Sequence, residues 1–438
     1  MAEKLSIPTL PRWKSIKNTF RILRNPIPVF AEYTARYGDT FKVYVAGLFP
    51  AIFTIDPGLT QHILQRNHRR YRKSEVQTES IGKYVGKGLL TIDGSYWLQQ
   101  RRLIQPGFHK ARLQKIRLIM EGVLDQYFVG LDSRLSLNNQ VDIYEESHQI
   151  AHQIIVRSLF SDSLDEETMR RLGSNITRVQ QFLIKQLRLP FLDWYFALTG
   201  QKKKYLKIAR ESNYIIKDYI HERRKSDETY DDLLAMLMEA RYEDTGEGMS
   251  DEQLIDESLI LFVAGHETSA NALSWACYLL SKHPETIAKI REEESNEYLR
   301  LVINEAMRLY PPAWITDRVS LEDDHYEGLE IPQETMIVSY IYGIHHSAKH
   351  WDDPEEFRPE RFNEKNKDRH PYAFMPFGGG PRLCIGNNFA LMEMELTLRR
   401  IVDHYDLELV ENQQIEALPL VTLRPKPGIK MRLIRRQL

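Results

Sequence analysis

A mainly α-helical fold carrying small β-sheets is what this 438-residue sequence predicts. Ten stretches between about residues 57 and 404 carry apolar residues at helical spacing. Residues near the N-terminus, near 328–341 and over 406–434 alternate as strands do. Neither an internal repeat nor a low-complexity linker interrupts the chain, so one continuous domain is expected over 1–438. Within it, a β-rich lobe of about residues 1–60 would join the C-terminal strands, and a helical lobe would fill about 61–405.

Residues 37–56 read as a hairpin: Phe41, Val43 and Val45 point one way, and Ile52 and Thr54 follow after Gly47-Leu48-Phe49-Pro50. Helices are expected at roughly 57–67, 94–105, 110–134, 141–160, 166–186, 203–225, 230–240, 250–282, 296–310 and 386–404. Ser250 followed by Gln253 forms a capping box that opens the 250–282 helix. The stretch 281–284, ending in Pro284, closes it. This helix is apolar nearly all round, which places it in the interior. Pro311-Pro312 stop the helix that ends at Tyr310.

Composition narrows the function. Hydrophobic residues make up 42% and charged residues 27%, as in a soluble globular chain long enough to enclose a cofactor. Lys+Arg 59 against Asp+Glu 61 leaves a net charge of -2, which argues against nucleic-acid binding. Two cysteines, Cys277 and Cys384, exclude a disulfide framework and suit a reducing cytoplasm. The polar, Pro-punctuated start of the chain carries no signal peptide, and Leu259 to Ala264 is too short an apolar run to span a bilayer. A cytoplasmic protein without a membrane anchor is expected, although a chain shortened of its anchor would look the same.

The segment Phe377-Gly378-Gly379-Gly380-Pro381-Arg382-Leu383-Cys384-Ile385-Gly386 is poor in side chains, so its backbone can approach a flat object closely. A helix begins just after Cys384, and a helix N-terminus favours the thiolate, the form that ligates metals. Cys384 alone reads more readily as a buried structural thiol. A phosphate loop fails, because no Lys-Ser or Lys-Thr follows the glycines.

Mid-helix lies Ala264-Gly265-His266-Glu267-Thr268. Ala270 stands where a metalloprotease needs its second histidine, so that reading fails. Ala264 and Gly265 remove bulk, and Thr268 is placed to bond back to the carbonyl of residue 264 and loosen the helix. A groove with a hydroxyl results; a plain helix crossing of small residues fits these residues equally.

Phe377, Gly380, Arg382, Cys384 and Gly386 fill every fixed position of the Phe-x-x-Gly-x-Arg-x-Cys-x-Gly signature, and here the chain resembles the cytochrome P-450 family over nearly its whole length. The resemblance implies that family's fold, a triangular helical prism enclosing haem b. It implies Cys384 as iron ligand, Phe377 as shield of the sulfur, Arg382 as partner of a haem propionate, and Gly386 as a further cofactor-binding position. Trp97 and Arg101, at i and i+4 on one helix side, resemble the family's propionate-facing pair; Arg318 and His345 fall where it places further propionate partners. Glu305 and Arg308, with Arg361 downstream, resemble its Glu-Arg-Arg brace, a structural feature rather than a catalytic one. Glu267-Thr268 resembles its acid–alcohol pair: both would be catalytic, Glu267 relaying protons through water and Thr268 assisting their delivery to dioxygen.

The implied activity is insertion of one oxygen atom of O2 into a C–H bond of a small organic substrate, by hydroxylation or oxidative O-demethylation. No flavin or iron–sulfur domain is appended, so electrons would come from a ferredoxin or flavodoxin with an NAD(P)H reductase, docking near Arg102, Lys110 and Arg112. A monomer is expected. By resemblance the substrate pocket takes Ile81, Tyr84, Val85 and Leu89; Leu261, Phe262 and Ala264; Ala313, Trp314 and Ile315; and Leu420 and Val421. The alternatives are a fatty-acid hydroxylase or peroxygenase, and a non-catalytic haem-binding or sensing protein. Leu48 and Ile52 lack the Arg and Tyr that hold a fatty carboxylate in some relatives, and the acid–alcohol pair argues against the peroxygenase and the sensor. The spacing from Thr268 to Glu305 is short for the family, with residues missing near Glu294-Ser295.

Overall fold

The helix Asp251–Lys282 runs through the interior of the computed structural model, which describes residues 7–45, 49–161, 165–363 and 369–437. Its capping box forms as the sequence predicts: the Gln253 N–H donates to Ser250 Oγ at 3.2 Å, and the Ser250 N–H donates to Gln253 Oε1 at 3.2 Å. Being apolar on most sides, it buries against three helices, Ile143–Phe160, Glu297–Leu309 and Asn387–His404. The largest apolar core of the described residues lies among these helices. The second core, with Phe41, Phe53 and Ile337, lies against a five-stranded sheet.

That sheet has the order Thr40–Val45, Phe49–Thr54, Met336–Ser339, Thr316–Ser320, Tyr71–Arg72. The first two strands pair antiparallel, Phe41 opposite Phe53. Phe49–Thr54 then pairs parallel with Met336–Ser339, Ile52 opposite Ile337. A three-stranded sheet orders Gln140–Asp142, Lys430–Arg435 and Tyr405–Leu409. A hairpin of Glu416–Pro419 and Leu423–Lys426 carries the C-terminal turn.

Two expectations change. Residues 12–37, assigned to a β-rich lobe, form the helices Arg12–Arg24 and Pro26–Tyr37. The prolines start helices here rather than break them: Pro26 sits in the first turn, and Asn25 caps it by accepting from the Ile27 N–H at 3.1 Å. Strands Thr316–Ser320 and Met336–Ser339 leave the supposed helical lobe to complete the N-terminal sheet, so the boundary near residue 60 does not separate two lobes. The expected turn at Gly47-Leu48 lies outside the described residues.

Glu305 and Arg308 are both 0% exposed. Glu305 takes Arg308 Nε at 2.7 Å and Nη2 at 2.8 Å, Arg361 Nε at 2.9 Å, and the Arg358 N–H at 3.0 Å. Arg308 also donates to the carbonyls of His345, Pro354 and Glu356. In the sequence this was an i, i+3 pair of a kind worth little at a surface; buried, it is the junction of four segments. Arg361→Ala leaves a carboxylate under-compensated away from water and is expected to lower stability by about 3–5 kcal/mol. Urea unfolding of the purified variant measures this, and a loss below about 1 kcal/mol, the range of a surface pair, contradicts the account.

Candidate active site

The cysteine loop is closed by backbone bonds. The Cys384 N–H donates to the Phe377 carbonyl at 3.0 Å, and the Leu383 N–H to that of Gly380 at 3.0 Å. Gly380 needs to be glycine twice over: its φ is +67°, and a Cβ there would fall 2.0 Å from the Leu64 carbonyl oxygen. Gly386 is different. Its φ is -89°, and a Cβ would meet nothing nearer than Phe108 at 4.0 Å. The protein alone gives no reason for a glycine there.

Cys384 opens onto a cleft deep among protein atoms. Burial pushes its thiol up; the Gly386 N–H and the Arg101 guanidinium pull it down. Arg101 is held there by the Leu383 carbonyl, 2.9 Å from its Nη1. The helix Asn387–His404 begins where predicted, yet burial outweighs the help its N-terminus gives the thiolate.

Beside the loop lies a basic pocket. Arg382 pairs with Asp93 and lies 5.3 Å from the centre of the Trp97 ring. Asp93 also accepts the Lys73 N–H. Lys73 Nζ is buried against the carbonyls of Leu89, Leu90 and Ile92, at 2.8–2.9 Å. Arg318 is 8% exposed and, among the described residues, bonds to the Asp317 carbonyl at 2.6 Å and Thr316 Oγ1 at 3.5 Å and forms no carboxylate ion pair. Burial, together with the Arg382 charge, pushes Lys73 down to about 7 and Arg318 to about 10. Of these three cations only Arg382 is ion-paired among the described residues, Asp317 and Glu257 acting on Arg318 and Lys73 through their charge alone, an arrangement that favours an incoming anionic group. Sequence reading found Trp97, Arg318 and Arg382 but missed Lys73 and Asp93; Asp93 before Gly94 was legible only as a helix cap.

On the central helix, Thr268 Oγ1 donates to the Ala264 carbonyl at 2.7 Å, the predicted back-bond. Ala264 is exposed in the middle of a buried helix, so open space lies against this side. Gly265 does not belong to that wall: a Cβ on it would meet Ile155 at 2.9 Å, so it serves the crossing with Ile143–Phe160. His266 points to His148 and His152, ring centres 5.0 and 5.5 Å away. Glu267 is 8% exposed and raised by burial, against the hydrogen bond from Thr422 and the charge of Arg424.

Several expected positions move out of the cleft. His345 is wholly buried, and its Nε2 accepts the Met375 N–H at 3.0 Å, so it braces the cysteine loop from behind and does not meet a propionate. Tyr84 packs on Phe182 and donates to Gln186 Oε1 at 2.8 Å; Val85 lies in the same core. Phe262 is 1% exposed and packs on His152. Trp314 is buried beside Tyr340, its indole N–H on the Leu420 carbonyl at 3.0 Å. Each lies on an expected element but turns toward a core, where its apolar surface is removed from water. Ala313, Ile315 and Val421 keep accessible surface. They are near one another, since Leu423 N–H donates to the Pro312 carbonyl at 3.0 Å.

These observations fit a haem. An accessible thiol stands beside an unexplained glycine and an under-neutralised basic pocket, and Ala264 faces open space. Among the described residues no set of three His, Cys, Asp or Glu could hold a metal ion, so an iron on Cys384 needs its remaining ligands from a prosthetic group. The helix that follows Cys384, Asn387–His404, meets the central helix at Glu393 and Ser269. Burial pushes Glu393 up to about 8 from an ordinary 4.5, so folding takes up a proton and stability falls as pH rises between those values. Glu393→Gln has no such proton to lose. Its unfolding free energy is expected to gain on the wild type as pH rises from roughly 5 to 8, by an amount on the order of a few kcal/mol. Calorimetry across that range checks this, and a constant difference contradicts it.

Known proteins agree with this geometry. The family model described as Cytochrome P450 matches residues 8–432. The cyclooctat-9-en-7-ol 5-monooxygenase of Streptomyces melanosporofaciens is 30% identical over 406 residues, covering 89% of this chain and 87% of its own. The pentalenene oxygenase of Streptomyces avermitilis is 28% identical over 437 residues, covering 96% and 95%. The crystal structure of a cytochrome P450 named CYP102L1 superposes with a TM-score of 0.87 over 100% of both chains at 22% identity, a likeness of fold. With the accessible thiolate ligand position, the basic pocket and a family match over nearly all its length, this chain belongs to the cytochrome P450 family of haem-thiolate monooxygenases.

Proposed function

We propose that this P450 oxidises a C–H bond of a small, predominantly apolar organic substrate, by hydroxylation or oxidative O-demethylation, with electrons from a separate ferredoxin or flavodoxin and its NAD(P)H reductase. The observation that carries the reading is the Thr268 hydroxyl, back-bonded 2.7 Å from the Ala264 carbonyl on the open side of the central helix. Haem b, when bound, supplies the oxygen-activating redox chemistry. Cys384 would hold its iron, Arg318, Arg382 and Arg101 its carboxylates, and Trp97 would back Arg382 through the ring contact already described. Phe377 would screen the sulfur, and Gly386 would leave room for the ring.

The chain's own contribution is positioning, dryness and protons. Thr268 can turn its hydroxyl from the Ala264 carbonyl toward the cleft, and the loosened turn leaves room for water. Glu267, raised by burial, holds a proton on its carboxyl more readily than a surface glutamate does. Ala264, Ala313, Ile315 and Val421 offer the substrate apolar contacts and no charge. Ile52 is 3% exposed within the sheet, which leaves it unable to meet a fatty carboxylate; Leu48 lies outside the described residues. Among the described residues no helix is long and apolar enough to cross a membrane. For the redox partner, Arg102 and Arg112 line an open groove of about 870 Å³ beside the helix Gly94–Ile104, whose other side carries Trp97 and Arg101. We read the protein as a cytoplasmic monomer.

Cys384→Ala is expected to abolish the thiolate carbon monoxide difference spectrum and all NAD(P)H-dependent oxidation. Retained oxidation would sink the assignment. Thr268→Ala should keep that spectrum while product formed per NAD(P)H falls by roughly 10²-fold, the size of a lost proton-transfer contribution. Turnover with a surrogate ferredoxin system, on any compound that gives a high-spin shift, measures it; unchanged yield removes Thr268 from the reaction.

A further inference from the structure

Glu267 and Thr268 are neighbours in the chain, but their side chains are bonded to different partners. Thr268 bonds within its own helix, whereas Glu267 Oε1 accepts a hydrogen bond from Thr422 Oγ1 at 2.7 Å. Thr422 in turn accepts from Asn271 Nδ2 at 3.0 Å. All three side chains are buried, Glu267 at 8%, Thr422 at 6% and Asn271 at 0% exposure. A threonine hydroxyl has one proton. Asn271 occupies one of its two lone pairs, and the proton is directed at Glu267 Oε1.

Thr422 belongs to the turn between strands Glu416–Pro419 and Leu423–Lys426. This turn is suspended from its carbonyls. Trp314 Nε1 holds that of Leu420 at 3.0 Å, and Trp275 Nε1 holds that of Leu423 at 3.2 Å. Thr422 and Leu423 are buried, and between the two anchors only Val421 keeps much free surface, 44%. The charged or titratable groups whose influence reaches Glu267 are Arg424, on the strand after the turn, and Tyr144, from the helix Ile143–Phe160. Neither replaces the Thr422 hydroxyl as a bonding partner of Oε1.

We propose that Thr422 is the positioning residue for Glu267, and that the Leu420–Thr422 turn passes apolar contact at Val421 to that carboxyl. Through Thr422 the turn holds the Glu267 carboxyl away from Thr268. An apolar molecule pressing on Val421 shifts the turn, lengthens the Thr422–Glu267 bond and frees the carboxyl to swing toward the cleft. The acid then becomes available when substrate is present. This deepens the reading of Glu267 as a proton carrier and rests on it.

The test uses purified holoprotein and 4-phenylimidazole, an apolar aromatic probe that enters haem pockets. Infrared difference spectra on adding the probe follow the carboxyl C=O stretch, assigned to Glu267 by its absence in Glu267→Gln. The wild-type band is expected to move to higher frequency as the hydrogen bond weakens. Thr422→Ser keeps the starting band and the shift. Thr422→Val starts at the higher frequency and does not move. Val421→Ala, which leaves the hydroxyl in place, keeps the starting band and loses most of the shift. A wild-type band that ignores the probe, or a Thr422→Val spectrum equal to the wild type, overturns the proposal. The underlying proton role has a separate readout: an unchanged ratio of peroxide to water in Glu267→Gln would sink that role, whatever the infrared bands do.

Discussion

A single carboxylate with no access to water, that of Glu305, holds the cysteine side of this protein together. It is shared by Arg308 and Arg361 and by the Arg358 backbone. Removing these charges from water is costly, and the cost is offset because the donors of Arg308 are spread over Glu305 and three carbonyls. One of those carbonyls belongs to His345, whose ring then receives the Met375 N–H. Two residues further on, the Phe377 carbonyl receives the Cys384 N–H. A continuous chain of hydrogen bonds thus runs from Glu305 to the thiol loop, through a histidine that burial keeps neutral.

The basic pocket follows the opposite principle. Around Glu305 both buried guanidiniums reach a carboxylate; among the described residues that of Arg318 reaches none. Asp93 neutralises Arg382 and fixes Lys73, and the remainder of the positive charge waits for a ligand. A protein with such a pocket gains stability from its anionic partner in proportion to binding. The contrast separates two settings of arginine: one set braces the loop, the other leaves positive charge beside it.

Much of this was legible in the chain. The Ser250 capping box and the apolar character of 250–282 located the central helix to within a residue, because both are local signals. The cysteine signature and the Glu-x-x-Arg pair located the loop and its brace. What sequence could not reveal was direction. Tyr84, Val85, Phe262 and Trp314 sit on the expected elements, yet their side chains turn into cores, a choice made by neighbours far along the chain. The same holds for polar partners: Thr422 lies 155 residues from Glu267, and Asp93 lies 289 from Arg382. The helices Arg12–Arg24 and Pro26–Tyr37 were obscured by polar residues and prolines, and the strand Thr316–Ser320 by its shortness.

The parallel pairing of Phe49–Thr54 with Met336–Ser339 sets an order of events during synthesis. A hairpin made early leaves the ribosome with one edge bare and must wait for nearly three hundred residues before its neighbour arrives. Long-range pairings of this kind form slowly. The thiol loop emerges later still, so residue 384 leaves the ribosome after the strand that completes this sheet.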